Sequence, residues 1–317
     1  MKKRVVAAMA AAVMAMSALT GCGAGGKDTV KIGVIQLTEH VALDASYQGF
    51  VDGLAEAGYV DGENIVIDFN NAQGDQSNCT TIAQKLVNDK SDLILAIATP
   101  AAQACAAQTS DIPILITAVT DPASSGLVAS NEAPGGNVTG TSDLTPVAEQ
   151  MKLLTRLLPE AKTVGILYCS SEDNSIFQAD IAKAEVEKLG LSWVEATVSN
   201  TNEIVSVVES LVSKVDVIYS PTDNMMAEGM AAVTSVATQN GVPCIVGEEG
   251  MVENGGLATY GLDYYNLGKQ TAAMAVSVIK GEKKPADMPI EYLTECTLAI
   301  NEDTAKALGI EIPADLK

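Results

Sequence analysis

Small and polar residues that suit the binding of a charged group follow a short apolar run in the first third of the chain. DLILAIA (92–98) is followed by Thr99, Pro100, Ala101 and Ala102. Thr99 is a favourable helix cap and Pro100 suits the first helical position, which would leave the amides of Ala101 and Ala102 to donate to an anion such as a carboxylate. The same residues also make a good helix start without any ligand, and the local pattern leaves both interpretations open.

A second arrangement of this kind lies further along the chain, where Thr222, Asp223 and Asn224 come soon after the run VDVIYS (215–220). Asp223 could accept hydrogen bonds from a ligand ammonium and so complement a carboxylate held after residue 98. Together the two places would recognise a zwitterion. The alternative is that Asp223 only caps a helix that begins near Met225.

Other polar residues stand where predicted strands end. Thr120 and Asp121 follow PILITAV (113–119), although an aspartate before proline is commonly a turn cap. The remaining ones are Gln36, Ser142, Asp143, Asn174, Ser175 and Glu248. Because ligands of open parallel sheets bind outside the carboxyl ends of the strands, the joint placement of these residues predicts a binding cleft.

The elements that must position these residues form two similar halves. From Val30 onward, short β-branched runs alternate with segments that carry apolar residues at three-to-four spacing, which is typical of parallel strands with crossover helices. A Gly/Pro-rich stretch interrupts the pattern at 133–137, and it restarts at TVGILYC (163–169). This predicts an α/β fold of two doubly wound parallel-sheet lobes joined by a multi-strand hinge, with a closable cleft between them. We expect a first lobe at 30–143, a second lobe at 144–256, and a return segment at 257–317 that completes the first lobe and the hinge.

The N-terminal residues have the pattern of a secretion signal. A basic start and an apolar stretch from Val5 to Leu19 precede Thr20, Gly21 and Cys22. This ending resembles the lipobox of bacterial lipoproteins, so we expect a signal peptide at 1–21, a lipidated Cys22 and a flexible tether at 22–29. An ordinary signal peptide or a transmembrane anchor is the alternative, but the apolar run is shorter than the roughly 20 residues that a membrane span needs.

Charge and cysteine content exclude several classes of partner and cofactor. The formal net charge of −21 repels nucleic acid, so we expect no nucleic-acid partner. His40 is the only histidine, and the cysteines form no short-spaced pair, so we expect no metal site and no cofactor. Buried free thiols are the default for the five cysteines beyond Cys22, with one disulfide open as an alternative in an exported chain: Cys79, Cys105, Cys169, Cys244 and Cys296.

An enzyme is the main rival to a binding protein. The chain has a single imidazole, no G-x-S-x-G turn, and no glycine-rich phosphate loop after a strand, so we expect no enzymatic activity. A ligand-sensing lipoprotein is a further alternative, as is a binding protein for a sugar or a nucleoside. The low aromatic content of 4% disfavours a sugar, since sugar sites generally use several stacking aromatics.

Beyond the signal, the chain resembles a known family, the ABC transporter substrate-binding lipoproteins of the type I periplasmic-binding-protein fold, which include tryptophan- and tyrosine-binding members. The resemblance covers essentially the whole mature chain, and the segments follow the family's order. They are KIGVIQ with Glu39 to Asp44, IATPAAQA (97–104), AVTDP (118–122), GGNVTGTSD (135–143), SSEDNS (170–175), TDN (222–224) and GGLATYGLDYYNLG (255–268). Val41 departs from the family, which usually has proline there, so no role is carried over to His40.

The resemblance implies capture of an amino acid, with an aromatic side chain favoured. It implies that Thr99, Ala101 and Ala102 hold the carboxylate and that Asp223 holds the ammonium. It also implies partners, namely an ABC permease and its ATPase, and an exported protein anchored by lipid to the outer face of the bacterial cytoplasmic membrane. Gln36, Thr120, Asp121, Asp143 and Asn174 would line the cleft, with Thr222 and Asn224 beside Asp223.

Overall fold

The computed structural model describes residues 29–317, which form twelve strands and ten α-helices in two lobes. The strand order in the first sheet is β2 (Ile65–Asn71), β1 (Val30–Gln36), β3 (Leu93–Ile97), β4 (Ile114–Val119), β5 (Val138–Ser142) and β11 (Glu291–Tyr292). In the second sheet it is β7 (Ser192–Val198), β6 (Thr163–Cys169), β8 (Val217–Ser220), β9 (Cys244–Val246), β10 (Ala258–Gly261) and β12 (Thr297–Ile300). The first five strands of each sheet are parallel neighbours in the same order, which is the doubly wound arrangement that the repeating sequence pattern predicts. The two lobes therefore share one topology.

The first lobe is built mainly from the N-terminal half of the described chain. Its strands β3 and β4 are buried at every position, because helices cover both faces of the sheet. The elements are β1 (Val30–Gln36), α1 (Val41–Glu56), β2 (Ile65–Asn71), α2 (Gln76–Asn88), β3 (Leu93–Ile97), α3 (Thr99–Gln108), β4 (Ile114–Val119) and β5 (Val138–Ser142).

The second lobe repeats this plan. Its elements are α4 (Val147–Leu157), β6 (Thr163–Cys169), α5 (Asp173–Lys188), β7 (Ser192–Val198), α6 (Ile204–Val212), β8 (Val217–Ser220), α7 (Asn224–Gln239), β9 (Cys244–Val246), α8 (Glu249–Glu253) and β10 (Ala258–Gly261).

The segment 257–317 differs from the expected return segment, because it is divided between the lobes. α9 (Tyr264–Ile279) packs on α1, and β11 (Glu291–Tyr292) pairs with β5 in the first sheet. β10 and the antiparallel β12 (Thr297–Ile300) belong to the second sheet, and α10 (Glu302–Leu308) follows β12. The chain therefore passes between the lobes three times, after β5, after β10 and after β11.

The contact between α1 and α9 depends on glycine. A Cβ on Gly49 would lie 1.9 Å from the carbonyl oxygen of Tyr265, and one on Gly268 would lie 2.0 Å from that of Ser46. Neither position has room for a side chain, so the two helices approach backbone to backbone. This packing ties α9 to the first lobe.

Two outcomes concern cysteines and the membrane. Cys79, Cys105, Cys169 and Cys244 are buried free thiols, as the default interpretation expects, whereas the free thiol of Cys296 is exposed. Between residues 29 and 317, no helix has the length and apolar character needed to cross a bilayer. The expected signal peptide, Cys22 and most of the tether lie outside the described residues.

Candidate functional site

A small cavity lies between the lobes at the carboxyl ends of the strands. It contains about 290 Å³ of space free of atoms, including space open to solvent at its mouth. The first lobe and its returning helix contribute His40, Leu43, Ala118, Thr120, Asp143 and Tyr264, and the second lobe contributes Asn174, Thr222, Asp223, Asn224, Ala227 and Glu248. Both sheets thus present their carboxyl ends to one shared space.

Asp223 is both a helix cap and a cavity residue. Its Oδ1 accepts a hydrogen bond from the Met226 amide at 2.8 Å, and its Oδ2 accepts one from the Cys169 amide at 2.6 Å. Burial raises the pKa of this carboxyl above its ordinary value, with the two amide bonds opposing the effect. The two interpretations drawn from the sequence are therefore compatible, since one carboxylate caps α7 and faces the cavity.

Asp143 links two of the three chain segments that connect the lobes. It follows β5, and its Oδ2 accepts a hydrogen bond at 2.7 Å from the hydroxyl of Tyr264, which follows β10. Its Oδ1 accepts from Thr120 Oγ1 at 3.1 Å, and Gln178 of the second lobe donates to the same hydroxyl oxygen at 3.2 Å. Burial raises the pKa of Asp143.

A third buried carboxyl, Glu172, orders the asparagines of the second lobe. Its Oε2 accepts from Asn224 Nδ2 at 2.5 Å and from Asn174 Nδ2 at 3.3 Å. Burial, followed by the negative charge of Asp223, raises the pKa of Glu172 to about 7. Glu172 lines a wider polar groove beside the cavity, and Asn224 lines both spaces.

Glu248 is the fourth buried carboxyl. It caps the short helix α8 by accepting from the Gly250 amide at 2.7 Å, and burial raises its pKa to about 7. None of the residues lining the cavity is a lysine or an arginine. Burial lowers the pKa of His40, the one imidazole there, to about 4, so it is neutral at pH 7. The site is therefore suited to a cationic group on a ligand.

Direct hydrogen bonds hold the lobes together around the cavity. Thr38 Oγ1 donates to Glu228 Oε2 at 2.9 Å, and Gln76 Nε2 donates to the Ser171 carbonyl at 3.0 Å. Gln103 Nε2 donates to Asp173 Oδ2 at 2.7 Å. These bonds describe a closed arrangement, in which the lobes must separate before a solute can enter.

The first lobe also holds strained backbone at this edge. Ala98 and Ala118, which lie at the ends of β3 and β4, have φ values of 81° and 54°. Such angles cost non-glycine residues on the order of 1–3 kcal/mol and occur often at functional sites. Ala118 lines the cavity, and the pairing of β4 with β5 shifts register between Ile116 and Val119.

The helix start after β3, where the carboxylate donors were expected, differs from the expectation. Ala98 occupies the capping position and Thr99 is already helical, because the positive φ of Ala98 starts α3 one residue early. The Ala102 amide bonds to the Ala98 carbonyl at 3.0 Å, so the expectation that it is free is wrong. Thr99, Ala101 and Ala102 do not line the cavity in the closed arrangement, and Thr99 Oγ1 is buried without a partner.

Two further expected residues lie away from the cavity. Asp121 Oδ1 accepts from the Ser124 amide at 2.7 Å, so the turn-cap interpretation describes it. Gln36 donates to Asp44 Oδ1 at 2.6 Å within the first lobe. Both side chains form hydrogen bonds within the first lobe, and neither lines the cavity.

The cavity does bring together most of the other expected residues, namely Thr120, Asp143, Asn174, Thr222, Asp223 and Asn224. Glu248 also lines it, as a polar residue at a strand end. His40, Leu43, Ala118, Ala227 and Tyr264 were not expected there. Ala227 comes three residues after Asn224 on α7, and helical spacing from Asn224 is the signal that would have found it.

Comparison with known proteins gives the family. A family model described as ABC transporter substrate binding protein matches residues 31–317. A tyrosine-binding protein of Clostridioides difficile (strain R20291) is 43% identical over 322 residues, covering 98% of this chain and 93% of that protein.

Two solved structures also bear on the lobe arrangement. An ABC domain from Streptococcus pneumoniae in complex with L-Trp is 45% identical, with a TM-score of 0.88 and coverage of 91% of this chain and 97% of that one. A ligand-free, open substrate binding protein with adhesive properties from Clostridium difficile is 48% identical over 90% and 97% of the two chains, but its TM-score is 0.70. At nearly equal identity, the closed lobes match the L-Trp complex better than the open form.

The family and its relatives are solute-binding proteins, which confirms the expectation that the chain is not an enzyme. The predicted α/β fold of two parallel-sheet lobes is confirmed as well. The chain belongs to the ABC transporter substrate-binding protein family.

Proposed function

We propose that the chain captures an amino acid, with tryptophan, tyrosine or phenylalanine favoured, and delivers it to an ABC permease driven by its ATPase. The observation that carries this proposal is the closed cavity between the lobes, lined by three carboxyl groups and by the apolar side chains of Leu43, Ala118 and Ala227. A ligand with an ammonium at one end and an apolar side chain at the other complements such a lining.

Asp223 is the proposed partner of the ammonium. It is buried and already ordered by two amide bonds, so little reorganisation is needed when a cation arrives. The raised pKa values around the cavity mean that its carboxyls lack compensating positive charge. A bound ammonium supplies that charge.

The proposed carboxylate donors are on the first lobe. Pro100 lines the groove beside the cavity, so the start of α3 faces the lobe interface. Thr99 Oγ1 has no partner, and the Ala101 amide belongs to the first turn of the helix, where amides lack intrahelical acceptors. We assign the carboxylate to these two groups and leave Ala102 out, because its amide is already bonded.

The relatives support an aromatic amino acid. One carries the name tyrosine-binding protein, and a solved structure contains L-Trp. Both cover most of this chain at more than 40% identity.

Capture would proceed by closure of the lobes on the ligand, because a ligand that contacts both lobes binds the closed state more tightly than the open one. The closed state would then dock on the permease. The N-terminal pattern supports export and a lipid anchor at Cys22, on the outer face of the cytoplasmic membrane. That anchor would keep the protein near the permease.

The test is a thermal-shift screen of the protein from about Gly26 onward, after unfolding and refolding to remove carried-over ligand. The panel contains all amino acids, nucleosides and common sugars. Ligand at 100 times its Kd stabilises the native state by about 2.7 kcal/mol, so saturable stabilisation by an aromatic amino acid is the expected result. Stabilisation by a sugar or nucleoside alone would overturn the ligand class. If no compound of the panel stabilises the protein, a sensing role with an unrelated ligand is favoured.

A further inference from the structure

One ring nitrogen of His40 has no hydrogen-bond partner. The residue lines the cavity, and its Nδ1 is buried without a hydrogen-bond partner. The other ring nitrogen, Nε2, lies 3.3 Å from Asn224 Oδ1 on the opposite lobe. A buried nitrogen of this kind is costly unless a ligand satisfies it.

The protonation state of the ring follows from its neighbours. Asn224 Nδ2 donates to Glu172 Oε2 at 2.5 Å, and when Glu172 is ionised the reverse orientation of the amide would set two acceptor oxygens against each other. The amide oxygen of Asn224 therefore faces His40 and can only accept, so Nε2 carries the hydrogen. Since burial lowers the pKa of His40 to about 4, the ring is neutral and holds one hydrogen. Nδ1 is thus a bare acceptor.

Apolar residues of both lobes line the same cavity as His40. They are Leu43 on α1 and Ala227 on α7, which follows Asn224 by three residues. The ammonium of an amino acid would go to the carboxyls, which attract it more strongly than a neutral ring does. The acceptor of His40 therefore remains for the ligand's side chain.

We propose that Nδ1 of His40 accepts a hydrogen bond from the side chain of the ligand, namely the indole N–H of tryptophan or the phenol O–H of tyrosine. Asn224 and Glu172 are positioning residues that select the tautomer. This inference rests on the proposed function, and it makes the site discriminate against phenylalanine, which has no side-chain donor.

Calorimetric titration of the wild type and His40→Phe tests the discrimination. The ligands are tryptophan, tyrosine, phenylalanine and benzothienylalanine, in which sulfur replaces the indole N–H. Loss of the donor leaves the buried acceptor unpaired, so wild-type affinity should fall by about 5- to 100-fold from tryptophan to benzothienylalanine. In His40→Phe the two should bind equally. The exposed Glu39→Gln is the matched control and should keep the wild-type ratio.

Nitrogen-15 NMR of the imidazole tests the tautomer directly, without any variant that must fold. His40 is the single histidine, so both ring signals belong to it, and their couplings to the ring C–H groups distinguish Nε2 from Nδ1. In the tryptophan-bound protein at pH 8, above the pKa of Glu172, Nε2 should carry the hydrogen, and the Nδ1 signal should differ from that in the phenylalanine complex. In Asn224→Leu the tautomers should mix.

A hydrogen on Nδ1 in the tryptophan-bound protein would overturn the inference, as would an unchanged tryptophan preference in His40→Phe. If aromatic amino acids bind without any preference for a side-chain donor, the inference fails and the proposed function stands. If no aromatic amino acid binds, the proposed function fails, and this inference fails with it.

Discussion

Two helix starts that resemble each other in sequence behave differently in the structure. Thr99 with Pro100 opens α3 on the first lobe, and Asp223 with Asn224 opens α7 on the second. Asp223 caps its helix and lines the cavity, whereas Thr99 caps nothing and is buried away from it. The difference arises one residue earlier, where Ala98 takes a positive φ and begins the helix too soon for Thr99 to cap it. Asp223 has extended backbone angles, so its carboxylate can cap α7 and line the cavity at once.

The largest expected effect is that of Asp223→Asn. Asparagine is also a good cap, but it lacks the charge that would hold an ammonium, so amino-acid affinity should fall by about 100-fold or more. The free energy of unfolding should change by only about 1–2 kcal/mol, because one of the two amide bonds loses its acceptor. Calorimetric titration and urea unfolding measure the two quantities. Unchanged affinity would remove Asp223 from the ligand site.

The next largest expected effect is the pH dependence of stability and of ligand affinity that two buried glutamates of the second lobe cause. The pKa of Glu172 and of Glu248 is about 7 in the fold, above the ordinary value of 4.5. The folded protein therefore holds these protons where the unfolded chain has lost them, and the free energy of unfolding should decrease as the pH rises from about 4.5 to 7. Ammonium binding favours the ionised carboxyls, so ligand affinity should increase over the same window.

Urea unfolding at several pH values checks the stability slope. Glu248→Gln should flatten it, while Glu209→Gln, at an exposed position on α6, should leave it unchanged. A slope that Glu248→Gln does not alter would contradict the role given to burial of this carboxyl.

Closure itself should respond to Gly250→Ala. A Cβ on Gly250 would lie 2.9 Å from Val41 Cβ on the opposite lobe, so the lobes could not close fully without a shift. Ligand affinity should fall by about 10-fold, a cost of roughly 1.4 kcal/mol, and solution scattering should give a larger radius of gyration with ligand present. Gly136→Ala, where the added Cβ meets no atom within 4 Å, is the control. Equal scattering curves for both variants would argue against a steric limit at Gly250.

The smallest expected effect is that of Thr99→Val. A methyl replaces a buried hydroxyl that has no partner, so the ligand-free protein should gain up to about 1 kcal/mol of stability. If Thr99 Oγ1 holds the carboxylate, affinity should fall by about 5-fold, much less than for Asp223→Asn. If Thr99→Val stabilises the protein and leaves ligand affinity unchanged, the start of α3 has only a structural role.

Much of the fold could be predicted from the sequence because parallel strands and crossover helices repeat strongly. VKIGVIQ (30–36) and TVGILYC (163–169) are strands with the predicted bounds. The division of 257–317 could not be predicted in the same way. β11 has two residues and β12 has four, all of them exposed or half-buried, so neither carries the apolar run that marks a buried strand.

The site was predictable where side chains follow strands directly, as for Thr120 and Asp223. Residues that reach the cavity by tertiary packing had no such signal. Tyr264 begins a helix that returns from the other lobe, and Glu172 acts through the asparagines it orders. The positive φ of Ala98 has no mark in the sequence, which is why the expected carboxylate donors changed.

The triple passage of the chain between the lobes has a consequence for how the protein folds. The first lobe needs α9 and β11, and the second needs β12, so neither lobe is one continuous stretch of chain. During synthesis, the first sheet gains its last strand only when residues 291–292 have emerged, by which time β6 to β10 of the second sheet are already present. No single cut would release an intact lobe, and a chain truncated before β11 would leave both sheets incomplete.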